Sequence, residues 1–499
     1  MTLSTSLLAE HLLAELARDD GPAGPHSGLP LNRRLYEALR RTLLDGRLGP
    51  GERLPSSREL AADLRLSRNT VVAALEQLTA EGYLSSRVGS GTYVADWWPQ
   101  GTAPRPRRAP STARLPGLSA RGQTLARRHN AQRLEIQPFT PGAADFSAFP
   151  VAVWQRLHNK HWRQARPDML DYTTSGGYGP LRRAVADYLR VSRSVRLEPE
   201  QVIITSGTQQ SLELCARLLA DVGERVWIED PAYWGAVKAL QACGLELQPL
   251  PVDEQGWTPP QEGSAGAPRL IYVTPSHQYP TGAVLSLARR RALLALAARL
   301  DAWVLEDDYD SEFRFDGAPI ASLAGLDDDG RVCYLGTFSK VLYPGIKLGY
   351  LVAPRALVED FRQAHYDLNR PGQLPLQAAL AEFIELGHFA AALRRARQTY
   401  AQRRQQLLAA LQPLLALPGV RIDGAAQGLH LCLRLPAHAD DGAMATQLAR
   451  EGITVRPLSA YCLQRRDLRG LVIGYGYAQP ALIAPCAARV VAVVRQALG

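Results

Sequence analysis

A lysine at position 340 stands out in a chain that otherwise relies on arginine. The 499-residue sequence has 57 basic residues, and its lysines are Lys160, Lys238, Lys340 and Lys347 alone. Lys340 comes directly after the hydroxyl-bearing turn Thr337-Phe338-Ser339. A deprotonated lysine amine can form an imine, whereas the guanidinium of arginine stays protonated. Taken alone, the stretch indicates either imine chemistry or an ordinary surface lysine.

Further polar and aromatic motifs follow short apolar runs, at the points where predicted strands end. Ser206-Gly207-Thr208 opens a predicted helix, whose free N–H groups and hydroxyls would bind an anion. Asp230-Pro231-Ala232-Tyr233-Trp234 offers an aromatic face, and the next run ends at SHQYPTG, residues 276–282. Glu306-Asp307-Asp308-Tyr309-Asp310 is a carboxylate run at the end of a buried strand, which indicates a cationic partner.

One cofactor requires all of these features together. Pyridoxal 5′-phosphate (PLP) needs a phosphate cradle, a stacking ring and a carboxylate for its pyridine nitrogen. It also needs a hydroxyl for its phenolic oxygen and a lysine that forms an imine. Each motif alone could be ordinary packing, but all five in this order predict a PLP site.

The elements that would position these motifs alternate between strand and helix. Apolar runs separated by helical stretches occupy Gln201–Thr205, Arg225–Glu229, Arg269–Thr274, Ala302–Glu306 and Val332–Thr337. This alternation predicts a parallel sheet with helices on both faces. Ligands bind such sheets at the carboxyl ends of the strands. The sequence therefore predicts a large α/β domain whose fifth strand leads into Lys340.

A compact module precedes this domain, between Leu31 and Val94. Its periodicity predicts three helices: one at 35–44, one that begins at Ser56 or Ser57, and one at Arg68–Gly82. A two-strand hairpin is predicted at 84–94. Ser67 is placed to cap the third helix, whose first turn exposes Arg68, Asn69 and Thr70. This order of elements is typical of a winged helix-turn-helix, which binds DNA. A helical hairpin that binds only protein is the alternative.

The residues from Leu54 to Val94 read LPSSRELAADLRLSRNTVVAALEQLTAEGYLSSRVGSGTYV. This segment closely resembles the DNA-binding domain of the GntR-type regulators along its whole length. The resemblance implies that Arg58, Arg68 and Thr70 face double-stranded DNA, beside Ser67 and Asn69. It also implies that the wing lies along the backbone or minor groove, through Arg87, Gly89, Ser90 and Gly91. The operator sequence does not follow, because phosphate contacts carry no sequence information.

The net charge of +9 is concentrated beside this module. Residues 96–133 carry eight arginines against Asp96 alone, among several prolines, and predict a semi-extended tether. The arginines between Arg105 and Arg133 either add phosphate affinity or belong to a plain spacer. The six cysteines form no CxxC pair, which predicts neither a metal site nor a disulfide framework. No apolar run approaching a membrane span is apparent, so a cytoplasmic protein is expected.

The second domain resembles the fold-type I aminotransferases over roughly residues 138–499. The phrases TPSHQYPTG, EDDYDSEFRFDG and GTFSKVLYPGIKLGYLV are similar to the MocR subfamily of GntR-type regulators. In that subfamily a winged helix-turn-helix is fused to an aminotransferase-like PLP domain. The resemblance implies that Lys340 holds PLP as a Schiff base, the internal aldimine. It further implies that Asp307 pairs with the pyridine nitrogen, Tyr309 bonds the ring oxygen and Tyr233 stacks on the ring.

The resemblance also assigns the phosphate site and an assembly. The phosphate is expected to bind Gly207, Thr208, Thr337 and Lys347. Tyr172, in YTTSGGYGPLR, is similar to the tyrosine that reaches the phosphate of the neighbouring subunit. A homodimer with head-to-tail domain exchange is therefore expected.

Three positions depart from the pattern of these relatives. An arginine is usual where Lys347 stands, and a lysine keeps the charge but loses the bidentate fork. In aminotransferases an arginine binds the substrate carboxylate, but here the residues just before Gly474 are aliphatic. Either Arg469, after a shift, or another arginine takes this role, or the effector is not an ordinary α-amino acid. The asparagine of HNPTG-type aminotransferases is absent here, and Gln278 or Tyr279 occupies its neighbourhood. His277 is interpreted either as a structural residue or as one that contacts the cofactor-binding residues without contacting the cofactor.

These observations predict a PLP-dependent DNA-binding transcriptional regulator. Its expected effector is a small amine, an amino acid or PLP itself, sensed through Lys340. An active aminotransferase with a DNA-binding appendage is the alternative, and a regulator that has lost PLP is a third hypothesis. The predicted organisation is a leader (1–28), a winged helix-turn-helix (29–95), a Pro/Arg-rich linker (96–137) and an aminotransferase-like domain (138–499). Within the last, a large α/β part spans about 170–370, and a smaller α+β part combines 138–165 with 385–499.

Overall fold

The chain forms two compact units, Met1–Gly117 and Leu118–Gly499. The computed structural model describes residues 5–19, 28–87, 91–96, 117–126, 136–147, 149–261, 266–317 and 321–499. Most of the predicted linker, 97–116 and 127–135, lies outside the described residues. Each unit has a hydrophobic core of its own.

The described part of the first unit consists of helices followed by a hairpin. Its elements are α1 (Thr5–Asp19), α2 (Leu31–Leu44), α3 (Ser57–Leu64), α4 (Arg68–Ala80), β1 (Leu84–Arg87) and β2 (Gly91–Val94). β1 and β2 are antiparallel, with Leu84 opposite Val94 and Arg87 opposite Gly91. The predicted winged helix-turn-helix is confirmed. Gly91, predicted at the hairpin tip, is the first residue of β2.

Two serine caps set the turn between α3 and α4. The side chain of Ser56 accepts a hydrogen bond from the Glu59 N–H, and the Glu59 carboxylate accepts one from the Ser56 N–H. This reciprocal capping box satisfies two N–H groups that a helix start otherwise leaves unpaired. Arg65 ends α3 in the left-handed conformation, and Ser67 caps α4 by accepting from the Thr70 N–H. The SSRE and LSRNT stretches therefore encode this corner locally.

The helix α1 belongs to the same core as the winged helix-turn-helix. Leu8, Leu12 and Leu16 are buried against α2 and α3. An ion pair of 2.9 Å joins Arg41 on α2 to Glu15 on α1. The structure thus differs from the sequence-based division, which set residues 1–28 apart as a leader. The apolar positions of α1 are spaced three to four residues apart, as a helix that packs on one face requires.

The second unit has many more elements around two sheets. Its helices are α5 (Ala120–Ala126), α6 (Val151–Arg163), α7 (Gly179–Arg193), α8 (Thr208–Leu219), α9 (Trp234–Ala242), α10 (Leu287–Leu300), α11 (Leu323–Leu326), α12 (Val358–Asn369), α13 (Leu374–Glu385), α14 (His388–Leu411), α15 (Asp441–Arg450) and α16 (Pro480–Leu498). Its strands are β3 (Val202–Thr205), β4 (Arg225–Asp230), β5 (Glu246–Asp253), β6 (Gly256–Trp257), β7 (Leu270–Val273), β8 (Trp303–Asp308), β9 (Val332–Thr337), β10 (Gly349–Val352), β11 (Arg421–Asp423), β12 (His430–Leu435), β13 (Arg456–Pro457) and β14 (Arg469–Gly474).

The large sheet has eight strands in the order β3-β10-β9-β8-β7-β4-β5-β6. Four of the five predicted strands, β4, β7, β8 and β9, pair in parallel, and β5, which was not predicted, joins them beside β4. The fifth predicted strand, β3, runs in the same direction but pairs only with β10, which lies between β3 and β9 and is antiparallel to both. The antiparallel strand β10 was not predicted, and it makes the sheet mixed. The segment 338–348 between β9 and β10 contains no helix long enough for a parallel crossover, so the chain returns antiparallel.

The small sheet has the order β11-β12-β14-β13 and is antiparallel throughout. The segment before α6 joins it, since Gly474 N–H donates to Phe139 O at 2.9 Å and Thr454 N–H to Pro138 O at 3.0 Å. Helices α14, α15 and α16 pack together beside this sheet. Among the described helices taken singly, only α16 is long and apolar enough to cross a membrane. The sequence-based predictions did not single out this segment. Its residues Ile483, Val490 and Val494 are buried in the protein core.

Candidate functional site

A cavity of about 400 Å³ lies at the carboxyl ends of the parallel strands. Eight of the nine predicted cofactor residues line it, namely Gly207, Thr208, Tyr233, Asp307, Tyr309, Thr337, Lys340 and Lys347. They come from positions 207 to 347 of the chain, and the strand order of the large sheet brings them together. The ninth, Tyr172, does not line the cavity of its own chain and is 58% exposed. Its predicted contact with a neighbouring subunit stays a prediction.

Lys340 lines this cavity and is half-buried. Its Nζ donates a hydrogen bond to the carbonyl oxygen of Gly142 at 2.8 Å. Burial lowers the pKa of the Lys340 amine, although Asp310 and Asp307 act in the opposite direction. A lowered pKa increases the fraction of neutral amine, the form that can attack an aldehyde.

Asp307 is the penultimate residue of β8 and is 3% exposed. Its Oδ2 accepts a hydrogen bond from the Tyr272 hydroxyl at 2.8 Å. Its Oδ1 is buried and has no hydrogen-bond partner among the described residues. Burial raises the pKa of Asp307 to about 7, and the hydrogen bond from Tyr272 opposes that rise. A buried carboxylate with one free oxygen has room for a cationic N–H donor, such as a protonated pyridine nitrogen.

The opposite end of the cavity has the properties of an anion site. Gly207 caps α8 with φ 119°, and the N-terminal N–H groups of that helix have no partner within it. A Cβ at Gly349 would lie 2.8 Å from the Gly207 Cα. The close approach of β10 to this turn therefore requires glycine at position 349. The Thr337 hydroxyl donates to Ser339 Oγ at 3.0 Å, and Lys347 is exposed beside them. A phosphate would find N–H groups, hydroxyls and one ammonium group here.

Tyr233 and Tyr279 form an aromatic wall of the cavity. Their rings meet edge to face with centroids 5.7 Å apart. Gln278 is buried away from the cavity, where its amide donates to the Pro231 carbonyl and to Glu229. Of the two residues proposed for the place of the missing asparagine, Tyr279 is therefore the one at the cavity.

Tyr309, which lines the cavity, is hydrogen-bonded to His277, which does not. The Tyr309 hydroxyl donates to the His277 carbonyl at 2.9 Å and lies 3.2 Å from His277 Nδ1. His277 is 1% exposed and hydrogen-bonded to Asp310 at 2.9 Å. His277, Asp310 and His430 each place a possible metal-ligand atom within 4.8 Å of the others, although the sequence predicts no metal. His277 does not line the cavity, which favours its interpretation as a structural residue.

Other lining residues were not among the predicted cofactor contacts. Ser206, Trp234, Ser339 and Asp310 belong to motifs that the sequence singled out, and Gln209 follows one of them. Gly142, His430 and Arg456 come from the small part of the unit and carry no local motif. Arg469, considered from sequence as a carboxylate clamp, does not line the cavity and donates to the Leu468 carbonyl.

The winged helix-turn-helix presents a separate polar surface. Arg58, Arg68 and Asn69 are exposed at the starts of α3 and α4, and Thr70 is half-buried. Neither Arg58 nor Arg68 makes a side-chain hydrogen bond or ion pair with a described residue. Ser67 is engaged as the α4 cap, with its Oγ 2.8 Å from Thr70 Oγ1. Gly89 and Ser90 lie outside the described residues, as does the side chain of Arg87.

The residues of the cavity fit PLP. The unpartnered Oδ1 of Asp307, the amine of Lys340 and the open N-terminus of α8 offer what its ring nitrogen, aldehyde and phosphate need. When bound, PLP supplies an electrophilic carbon at which a lysine or a free amine can be held covalently.

Comparison with known proteins identifies both units. The family "Aminotransferase class I and II" matches residues 142–471, and "Bacterial regulatory proteins, gntR family" matches residues 31–94. The chain is 40% identical to the probable rhizopine catabolism regulatory protein MocR of Rhizobium meliloti, over 91% of both chains. It is 33% identical to the HTH-type pyridoxine biosynthesis transcriptional regulator PdxR of Corynebacterium glutamicum, over 91% of this chain and 93% of that one.

Solved structures share the fold of the second unit. LysN, an alpha-aminoadipate aminotransferase from Thermus thermophilus complexed with N-(5′-phosphopyridoxyl)-L-leucine, is 28% identical with a TM-score of 0.65. That match covers 73% of this chain and 93% of LysN. Pyrococcus horikoshii kynurenine aminotransferase in complex with PMP is 25% identical with a TM-score of 0.66, over 73% and 92%. The chain therefore belongs to the MocR subfamily of GntR-type transcriptional regulators, in which a DNA-binding winged helix-turn-helix is joined to an aminotransferase-like domain whose cofactor is PLP.

Proposed function

We propose that this regulator senses a small primary amine, an amino acid or PLP itself at Lys340, and that occupancy changes its affinity for DNA. The observation that carries the proposal is the pairing of Lys340 with Asp307 in one cavity. A buried amine of lowered pKa and a carboxylate with a free oxygen match the two reactive ends of the PLP ring. An amine that takes the place of Lys340 on the cofactor would leave the Lys340 amine free to donate a hydrogen bond to the Gly142 carbonyl.

The coupling to DNA needs only a modest free energy. A coupling of about 1–3 kcal/mol between two sites changes an affinity about 5–150-fold. Gly142 lies in the segment that hydrogen-bonds the small sheet, so the partner of Lys340 is attached to the small part of the unit. A change in where Lys340 is bonded would therefore act on the packing of the small part against the large one.

We further propose that the protein acts as a homodimer with head-to-tail domain exchange. Leu170, Tyr172 and Leu368 are 60%, 58% and 52% exposed. Their two segments are joined by a hydrogen bond from Thr173 N–H to Pro371 O. An exposed apolar patch of this kind is typical of an interface. Tyr172 in it would reach the phosphate site of the partner subunit.

DNA is proposed to bind through the start of α4, with Arg58, Arg68, Asn69 and Thr70 at base edges and phosphates and Ser67 at the turn. The wing around Arg87, Gly89, Ser90 and Gly91 would follow the backbone or minor groove. The free guanidinium groups of Arg58 and Arg68 support this assignment.

Titration of the PLP-loaded protein with amines tests the proposal. Effector binding is expected to change the cofactor absorption spectrum and, in parallel, the affinity for DNA from its own upstream region. A spectral change with no change in DNA affinity would contradict sensing. Sustained amino transfer to a 2-oxo acid at about 1 s⁻¹ or faster would favour the alternative, an active aminotransferase with a DNA-binding appendage.

A further inference from the structure

Arg456 is the only arginine among the described residues that line the cofactor cavity. It is half-buried at the start of β13, in the small sheet. Its guanidinium forms no hydrogen bond or ion pair with any described residue. A guanidinium directed into a cavity without a carboxylate partner has its donors available for an incoming anion.

The register of the small sheet explains why this arginine is here. Arg456 lies directly opposite Val472 across the antiparallel pair of β13 and β14. Val472 is one of the aliphatic residues just before Gly474, where the resemblance to aminotransferases implies a carboxylate-binding arginine. Residues directly opposite each other in an antiparallel pair project from the same face of the sheet. The neighbouring strand therefore places an arginine at the level of the sheet where β14 has an aliphatic residue.

The face that Arg456 shares with Val472 is turned toward the cofactor cavity. Val472 packs with Tyr461 and Cys432, and Tyr279 packs against the same cluster. The hydroxyls of Tyr279 and Tyr461 lie 3.0 Å apart. These two hydroxyls give the neighbourhood of Arg456 further neutral hydrogen-bonding groups.

The other candidate, Arg469, lies at the far end of β14. Gly474 pairs with His430, which lines the cavity, whereas Arg469 pairs with Leu435. Arg469 and Gly474 are five positions apart along the extended strand, a distance of about 17 Å. Arg469 cannot reach a ligand held at Lys340 without a change of register, so it serves as a matched control.

We propose that Arg456 binds the carboxylate of an effector whose amine reacts at Lys340, so that the site selects amino acids over neutral amines. This inference rests on the proposed amine sensing and names the residue that sets its selectivity. The planar guanidinium offers two parallel N–H donors to a carboxylate. Asp307 and Asp310 also line the cavity and would repel a carboxylate. Arg456 is the one arginine among the described lining residues that could bind it.

The test compares amines with and without a carboxylate on variants of two arginines. Glycine, β-alanine and 4-aminobutanoate are titrated alongside 2-aminoethanol and 3-amino-1-propanol, with the cofactor spectrum and DNA affinity as readouts. Arg456→Met should weaken binding of the preferred amino acid roughly 10–150-fold, the range for a lost charged hydrogen bond. It should leave the amino alcohols within about twofold. Arg456→Lys should fall between, and Arg469→Met should match the wild type.

The outcomes separate this inference from the proposal beneath it. PLP content and DNA affinity without amine are measured for each variant, so that damage to the cofactor site is seen directly. If wild-type protein responds to amines but Arg456→Met keeps its preference for amino acids, or loses both amine classes equally, the role of Arg456 is overturned while amine sensing stands. If the wild type responds to none of these amines, both proposals fail for this class of effector.

Discussion

The Nζ atom of Lys340 lies 2.8 Å from the carbonyl oxygen of Gly142, 198 positions earlier in the chain. Lys340 follows a strand of the large sheet, and Gly142 belongs to the segment attached to the small sheet. A Cβ on residue 142 would lie 3.5 Å from the nitrogen. The lysine is thus held by a neutral acceptor, which binds the amine without fixing a positive charge on it.

Borohydride reduction is expected to attach PLP to Lys340. Reduction converts a lysine–aldehyde linkage into a stable bond, so peptide mass spectrometry locates the modified residue. Lys340 should carry the added mass because its lowered pKa favours the neutral nucleophile. Lys340→Arg should abolish both the added mass and the yellow absorption of lysine-bound PLP.

Lys347→Arg is the matched control, because it changes the other lysine of the cavity. It should leave the modification on Lys340. Modification of residue 347 in the wild type, or of the Lys340→Arg protein at any cavity lysine, would refute the assignment.

Asp307→Asn is expected to stabilise the protein without cofactor at neutral pH and to weaken PLP binding. The pKa of Asp307 is raised from its ordinary value of 3.8 to about 7, so the folded state retains a proton that the unfolded state loses. Stability therefore falls as pH rises across this window, because the folded state binds more protons than the unfolded state. Asparagine removes that contribution and can still accept from Tyr272.

The measurement is the melting temperature at about pH 5 and pH 8, with and without PLP. Without PLP the variant should lose less stability over this interval than the wild type. Glu229, Glu306 and Glu312 also have pKa values raised to about 7, so part of the pH dependence remains. With PLP bound, the ring cation should lower the pKa of Asp307 and reduce the wild-type dependence. Identical pH profiles for the two proteins without cofactor would show that Asp307 is not held protonated.

The strand-end residues of the large sheet could be predicted from sequence because their signal is local. Apolar runs are followed by SGT, by a carboxylate run and by TFSK, so the polar side chains of these motifs lie at strand ends. Parallel strands bring their carboxyl ends to the same edge of the sheet. The same reasoning missed β10, since the run GYLV after Lys347 has no feature that distinguishes an antiparallel return from a parallel strand. The DNA-binding unit was predictable for the same reason, through its serine caps and apolar spacing.

Residues supplied by the small part could not be found this way. Arg456 stands in the sequence TVRPL, and only its pairing with Val472 places it at the level of the missing arginine. Gly142 and His430 likewise acquire their roles from contacts across more than a hundred residues. Such register and docking depend on tertiary packing, which a one-dimensional pattern does not contain.

Lys347→Ala is expected to lower PLP affinity about 10–150-fold, as loss of a charge-assisted hydrogen bond to a phosphate would. Lys347 is the exposed cation beside Thr337 and the α8 N-terminus, and no other lysine or arginine of the described residues lines that end of the cavity. Lys347→Arg should bind PLP at least as tightly as the wild type, because the guanidinium can contact two phosphate oxygens. Equilibrium dialysis with free PLP measures both. Unchanged affinity in the alanine variant would place the phosphate elsewhere.

Arg58→Ala and Arg68→Ala are expected to weaken DNA binding and to reduce its salt dependence where a phosphate contact is lost. Each lost phosphate contact should lower the slope of log affinity against log salt by about 0.9. A contact to a base edge would instead cost about 1–3 kcal/mol and relax sequence preference, with little change in slope. Fluorescence anisotropy on upstream and unrelated DNA at several salt concentrations distinguishes the two.

Arg47→Ala provides the charge-matched control for these variants. Arg47 is exposed on the same unit, follows α2 and is not among the predicted DNA contacts, so its loss removes one charge without removing a predicted contact. It should change affinity only through the general field of the domain, which salt screens. Equal losses from Arg47→Ala and Arg68→Ala would mean that α4 contributes charge alone. The assignment of α4 as the recognition helix would then be wrong.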